Sequence, residues 1–305
     1  MNRRAVGLFV VAAVAFGTAF VGIKAGVATL PPVLFAALRF DLGAALLLAA
    51  LVVRQGRECL PATRADWLGV GISGVFLVML NGVLLFVGQQ YTTSAAAAVV
   101  YGVVPVATTL IAVVVLGQRL SPVGILGLLV GFGGLVIVVQ PSPAMLAGTG
   151  VGEPLVVVAS FSVAFGSVLL KKVQPTMTSF GLTAWAMVVG AAGSHLLSLA
   201  LGEPFPTTWT TEAVLAVVWL GTVSTGLAFP AYFALIRVAG PVRANLVAYV
   251  VPIVAAVSGA VVLGESVAVT TAIGFVVVLA GFALLEREAL RRDARRAWES
   301  VRASA

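Results

Sequence analysis

The sequence predicts an all-α polytopic membrane protein: ten transmembrane helices arranged as two inverted five-helix repeats, with both termini cytoplasmic. Three observations carry that prediction. The chain has 305 residues, 61% of them hydrophobic and 10% charged, with a mean hydropathy of +1.14. Soluble domains carry about 25% charged residues, so this chain could not cover a water-facing surface. Apolar runs of about 20 residues, the length that crosses a bilayer as a helix, recur along its whole length. Finally, the run VVYGVVPVATTLIAVVVLGQRL at 99–120 returns as LVAYVVPIVAAVSGAVVLGESV at 246–267, with 8 of 22 positions identical and no gap.

The ten segments, in order, are roughly 5–29, 33–53, 67–88, 94–116, 122–140, 154–172, 180–201, 211–236, 242–263 and 267–285. None shows the short alternating pattern of about 10 residues that a transmembrane β-strand needs. Turn chemistry separates them. It includes Pro31-Pro32, the polar stretch from Arg54 to Asp66, Ser121-Pro122, Pro141 to Pro154, Gln174-Pro175, Glu203 to Pro206 and Gly240-Pro241. These connections are too short to hold a soluble domain.

Basic residues set the orientation. Arg3, Arg4, Arg54, Arg57, Arg64, Arg119, Lys171, Lys172, Arg237, Arg243 and the six arginines from Arg287 to Arg302 all fall at one side of the ten-segment scheme, 16 of the 18 Lys and Arg. The loops of the other side have none. Cytoplasmic loops collect Lys and Arg, so both termini are expected in the cytoplasm, and the net charge of +7 reflects topology, with no nucleic-acid partner implied. Residues 1–29 are read as a first span rather than a cleaved signal peptide, because the apolar run exceeds the usual 7–15-residue core.

The repeat has an offset of 147 residues (252 − 105), which maps segment four onto nine and five onto ten, Gly127 onto Gly274 and Gly134 onto Gly281. Ala15-Phe16-Gly17-Thr18 in segment one matches Ala164-Phe165-Gly166-Ser167 in segment six. The chain therefore divides into a first repeat at 1–140, a second at 141–286 and a basic tail at 287–305. Five spans is an odd number, so the second half enters the membrane inverted, an arrangement that lets two halves exchange inward-facing and outward-facing shapes. Pro105 and Pro252 stand mid-run in segments four and nine. Each removes a backbone hydrogen bond and permits a bend, as a hinge or as a fixed kink.

Ionisable groups at membrane depth are functional candidates because burying their charge costs at least about 2.5–3.5 kcal/mol. Lys24 and Arg39 are such groups. Each is readable as a snorkelling anchor, or as a gate or substrate contact. Asp41 follows Arg39 by two positions, a spacing that does not pair along one helix face. His195, the one histidine, has the chemistry for proton coupling, although a lone histidine near a helix end is more often packed or interfacial. A single histidine and a single cysteine, Cys59, exclude a multi-His metal site and an internal disulfide. No cofactor is expected.

In these residues the chain resembles the drug/metabolite transporter superfamily, specifically its EamA-type ten-helix members. In the first half the resemblance rests on Ala15 to Lys24 (AFGTAFVGIK), Arg39-Phe40, Tyr91-Thr92-Thr93-Ser94, Pro105, Leu116-Gly117-Gln118-Arg119-Leu120 and Gly127. In the second half it rests on Gly240, Pro252, Leu263-Gly264-Glu265 and Gly274. Two positions depart from the family pattern: Phe16 stands where tryptophan is usual and Gln118 where glutamate is usual. An acid at 118 is then not needed for coupling here, if coupling uses protons. The resemblance implies a monomeric or loosely associated secondary transporter that exports amino acids, metabolites or toxic small organics. It also implies a cavity lined by helices one, three, four, six, eight and nine, with five and ten outside.

On those helices the polar and aromatic residues at mid-membrane are the candidates for substrate contact: Thr18, Met79, Asn81, Tyr101, Ser160, Phe165, Trp219, Ser224, Tyr232 and Tyr249. A midplane site needs a few placed polar groups in an apolar pocket. The same residues could instead bond helix to helix. Trp67, Trp185 and Trp209 are expected as anchors or packing. The glycine-rich text at 127–134 lacks the GK[ST] ending of a phosphate loop and reads as small residues for close helix packing. The tail carries apolar residues near helical spacing, as an amphipathic helix on an anionic leaflet would. The functional expectation is a secondary exporter of small organic solutes, amino acids or related metabolites first, with drugs or other metabolites as the alternative and a channel-like uniporter after that. Its partners would be the solute, the lipid bilayer and, as a candidate coupling ion, the proton. No ATP-binding motif supports a primary pump, and membrane depth holds too few acids and bases for an enzyme.

Overall fold

The structure is a computed structural model, and it describes residues 3–55, 60–117, 121–139, 150–239, 247–285 and 287. Among the described residues every regular element is a helix. The helices are α1 Arg3–Val27, α2 Pro32–Gln55, α3 Arg64–Gln90, α4 Ser94–Leu116, α5 Pro122–Val139, α6 Gly152–Val173, α7 Ser179–Ala200, α8 at 211–239, α9 Val247–Leu263 and α10 Val269–Leu285. Eight are long and apolar enough to cross a membrane. The last two are apolar helices described over 17 residues each. The predicted hinge residue Pro252 lies in α9, while Gln118, Gly240 and the tail beyond Arg287 lie outside the described residues.

The helix starts obey the repeat. Adding 147 to the first residues of α2, α3 and α5 (32, 64 and 122) gives 179, 211 and 269, the first residues of α7, α8 and α10. Local chemistry explains the match for α3 and α8. Thr63 and Thr210 each accept a hydrogen bond from a backbone N–H of the first turn, satisfying an orphan donor. At Thr63 the cap is reciprocal, because Asp66 bonds back to the Thr63 N–H. That capping box starts α3 at residue 64, three residues before the apolar run at 67–88 predicts.

Both helices also carry one π-helical stretch, Ser73–Leu80 in α3 and Leu220–Leu227 in α8, and 73 + 147 and 80 + 147 reproduce the second range. The π geometry widens the helix and leaves carbonyls short of partners. Hydroxyls supply some of them: Ser162 of α6 donates to the Phe76 carbonyl at 2.8 Å, and Thr225 donates to the Leu220 carbonyl at 3.0 Å.

The two prolines behave differently. In α4 the helix stops at Tyr101, turns through Gly102 and Val103, and restarts at Val104 with Pro105 in its first turn. In α9 the helix runs unbroken through Pro252. The residue aligned with Gly102 is Tyr249 in the second copy; Gly102 itself is right-handed, at φ −60° and ψ −9°.

Packing interlocks the halves. α1 lies against α8 and α9 of the second half, and α6 lies against α3 and α4 of the first. α2 pairs with α7, and α5 with α10. The α5–α10 contact is backbone on backbone: a Cβ at Gly281 would sit 2.4 Å from the Gly131 nitrogen, and one at Gly134 2.7 Å from the Val278 nitrogen. The glycine-rich run is thus a close-packing surface, as expected in lipid where apolar area alone does not drive association.

Candidate functional site

The chain ends that lack Lys and Arg meet at one end of the bundle, here the neutral end. Hydrogen bonds tie them across helices. Glu203, after α7, accepts from the Val33 and Leu34 N–H groups at 3.1 and 2.7 Å and from the Ser198 hydroxyl at 2.8 Å, capping α2. Glu265, between α9 and α10, accepts from the Ser94 N–H at 3.0 Å and caps α4. Glu153 at the start of α6 accepts from the Thr92 hydroxyl. Each places a carboxylate where the helix dipole favours it. Lys24 does the converse. Its ammonium donates to the Gln89 and Gln90 carbonyls at 2.9 and 3.3 Å, at the C-terminus of α3. Gln89, fully buried, donates from Nε2 to the Phe20 carbonyl at 3.0 Å, and the Ser94 hydroxyl donates to the same oxygen at 3.3 Å. At the opposite, basic end, Asp66 accepts from the Thr176 and Met177 N–H groups at 2.7 and 3.0 Å, joining α3 to the α6–α7 connection. α3 therefore starts at the end opposite to that where α1, α7 and α9 finish.

Beneath the neutral-end ties lies a polar cluster. Arg39 is seven residues into α2, Tyr101 seven into α4, Phe20 seven before the end of α1 and Asn81 nine before the end of α3. At 1.5 Å per residue these form one layer about 10–14 Å inside. The Tyr101 hydroxyl donates to Asn81 Oδ1 at 3.0 Å, and Asn81 Nδ2 donates to the Leu77 carbonyl at 3.2 Å. The Arg39 guanidinium lies over the Phe40 and Phe86 rings, 5.2 and 5.6 Å from their centroids. Phe20 closes the layer, 6.0 Å from the Tyr101 ring and edge-on to it. Arg39, Asn81 and Tyr101 all keep partial accessibility.

The other predicted residues are dispersed. Ser224 of α8 donates to the Ala15 carbonyl of α1 at 3.1 Å and is buried, so it locks a π stretch to its neighbour. Ser160 is buried and bonds back to Val156 O within α6, and Thr18 bonds back to Val14 O within α1. Met79 packs its sulfur over Gly193 of α7. Phe165 stacks edge-on with Phe76 at 5.2 Å between α6 and α3. Trp219 lies against Gly22 of α1 and is 42% exposed. Tyr232 joins an aromatic group with Phe16 in the basic half, and the Tyr249 side chain lies outside the described residues. His195 meets Asp41 across the α2–α7 contact at 2.7 Å, both part exposed.

Reading the sequence alone misses the carboxylates of the neutral end and both π stretches. One of the carboxylates had a signal: Leu263-Gly264-Glu265 ends a helix with glycine in the left-handed conformation at φ 66°, the usual role of glycine there. The π stretches had none beyond the offset of 147.

Comparison with known proteins agrees with this architecture. The model of the EamA-like transporter family matches twice, over residues 3–140 and 150–287. An uncharacterized transporter of Archaeoglobus fulgidus is 27% identical over 280 residues, covering 90% of this chain and 95% of that protein. The uncharacterized inner membrane transporter YedA of Escherichia coli K12 is 31% identical over 254 residues, covering 82% of this chain and 80% of that one. A solved crystal structure covers 95% of this chain and 99% of its own with a TM-score of 0.64 at 22% identity, a likeness of fold alone. Two copies of one family model, laid over two halves that repeat their helix starts and their π stretches, leave one assignment: this multi-pass membrane protein belongs to the EamA-like transporter family.

Proposed function

We propose that the chain is a secondary transporter that exports small organic solutes, amino acids and related metabolites first, across a prokaryotic plasma membrane by alternating access, with both termini in the cytoplasm. The observation that carries this reading is the matched pair of π stretches. Helices α3 and α8 hold the same irregular turn at the same register, 147 residues apart, and each packs on the crossed-over first helix of the other half, α6 and α1. Irregular turns of this kind cluster at functional sites, and a duplicated one gives each inverted half the same place to bend. The neutral-end ties then serve as one closed gate, and the layer of Arg39, Asn81 and Tyr101 beneath it as part of the binding region. The proton is the candidate coupling ion, and His195 and Asp41, 2.7 Å apart, are the titratable pair that would carry it in this reading. The protein acts as a monomer in this reading.

Cysteine accessibility tests it. In a Cys59→Ser background, Asn81→Cys should react with a membrane-impermeant maleimide added to either face of oriented vesicles, because the layer opens alternately to both. A cysteine at Leu128 in α5 serves as the comparison and should react from neither. Reaction of Asn81→Cys from one face only, under every solute and pH condition, would contradict alternating access.

A further inference from the structure

Resting on the transporter reading above, the geometry points to an anionic substrate, a carboxylate held by the Arg39 guanidinium with the Tyr101 hydroxyl and Asn81 beside it. Arg39 is the unexplained charge of the interior. A guanidinium carries five N–H donors and no acceptor. Among the described residues Arg39 has no carboxylate within ion-pair distance, no hydrogen bond is formed by its side chain, and its Nε is buried without a partner. The Phe40 and Phe86 rings cover its face. Such contacts are worth about 0.5–2 kcal/mol, but ring faces accept none of the in-plane donors. The cost of a cation at membrane depth, about 2.5–3.5 kcal/mol or more, is therefore only partly offset by the protein itself. A planar anion with two oxygens fits the vacant fork as a bidentate partner, the strongest pairing a guanidinium makes.

The surrounding charges point the same way. Asp41, two residues on, is engaged by His195 on the α7 side. Glu153, Glu203 and Glu265 are engaged at helix ends, and Asp66 at the basic end. A cationic solute would find no free carboxylate in this layer among the described residues, whereas an anionic one finds Arg39. Lys24, the other internal cation, is already occupied by the α3 carbonyls. Tyr101 gives its one hydroxyl proton to Asn81 Oδ1, so it acts here by orienting Asn81, whose Nδ2 carries two N–H donors and spends one on the Leu77 carbonyl. Phe20, Phe40 and Phe86 give the remainder of the layer an apolar lining, suited to a small organic body attached to the carboxylate.

The test separates this claim from transport as such. Purified protein is melted in detergent with matched sets of probes: aliphatic, aromatic and amino-acid carboxylates, their amides, and the corresponding amines. The expected result is that at least one carboxylate raises the melting temperature while its amide and amine do not. Arg39→Met should abolish that shift and Arg39→Lys should keep a reduced one. As a control for loss of folding in Arg39→Met, Tyr101→Phe is measured alongside, with a several-fold weaker carboxylate effect expected. Equal shifts from carboxylate and amide, no shift from any carboxylate in the wild-type protein, or a full shift in folded Arg39→Met would each overturn the assignment. Flux assays on the same variants distinguish the two claims. Saturable exchange of neutral or cationic solutes that survives Arg39→Met removes the anion site and leaves the transporter reading standing.

Discussion

Lys24 and Arg39 carry the same charge inside spans, Lys24 three residues and Arg39 seven from the neutral end of its helix, and they meet opposite surroundings. The Lys24 ammonium ends on two backbone carbonyls of α3, so its charge completes a helix terminus. The Arg39 guanidinium ends on ring faces with its donors free of described partners. The sequence places both residues inside spans, but it could not assign their roles, because a side chain's role there depends on which helix stands opposite. The difference is testable. Lys24→Met should lower stability by about 1–2 kcal/mol, the scale of a lost charge-assisted hydrogen bond, and leave solute preference unchanged, as read by melting curves and competition. A changed preference with unchanged stability would transfer the substrate role to Lys24. Glu203 and Glu265 extend the same logic. Neutralising them as Glu203→Gln and Glu265→Gln should loosen the neutral end, and impermeant reagents added on that side should then reach Asn81→Cys faster than in the unmutated background. Unchanged labelling would mean that the carboxylates cap helices without gating.

At the scale of elements, hydropathy gave the ten segments nearly as they stand, because a span must be apolar over about 20 residues whatever its neighbours are. The starts of α3 and α8 were also legible, since Thr63 and Thr210 are capping residues. What the runs could not carry was the geometry inside them. The prolines at 105 and 252 look equivalent in the repeat, yet only the first accompanies a break, where the first copy has Gly102 and the second Tyr249. The π stretches are invisible to composition, since the two have little in common: SGVFLVML is strongly apolar, while LGTVSTGL holds three hydroxyl residues and two glycines. The α5–α10 contact is the clearest case where sequence and structure meet, for the glycines that read as small-residue packing bring two backbones together. Gly281→Ala puts a methyl 2.4 Å from the Gly131 nitrogen and should cost about 1–3 kcal/mol, as overpacking does. Gly133→Ala meets nothing within 4 Å and should be neutral. Equal melting temperatures for the two variants would show that the helices can separate without loss.

For the whole molecule, the two repeats are interlocked rather than side by side. α1 and α6 each leave their own half to pack in the other, so a movement of either half carries a helix of its partner with it. This coupling was not legible in the offset of 147, which describes each half alone. The polar layer lies within the first half, where α1, α2, α3 and α4 contribute one residue or more each, and it too depends on which helices meet. The predicted cavity set was therefore only partly brought together: Asn81 and Tyr101 meet, while Ser224 and Met79 serve helix–helix contacts and Ser160 bonds back within α6. The central claim is that this interlocked pair of halves carries solute by alternating exposure. Counterflow measures that claim most directly. Proteoliposomes are loaded with an unlabelled amino acid and given a trace of the labelled form outside, across the amino acids and then other carboxylates. The account predicts transient accumulation of label for at least one group of carboxylate solutes. Flux that equilibrates without any overshoot would contradict it, for that is the behaviour of a channel.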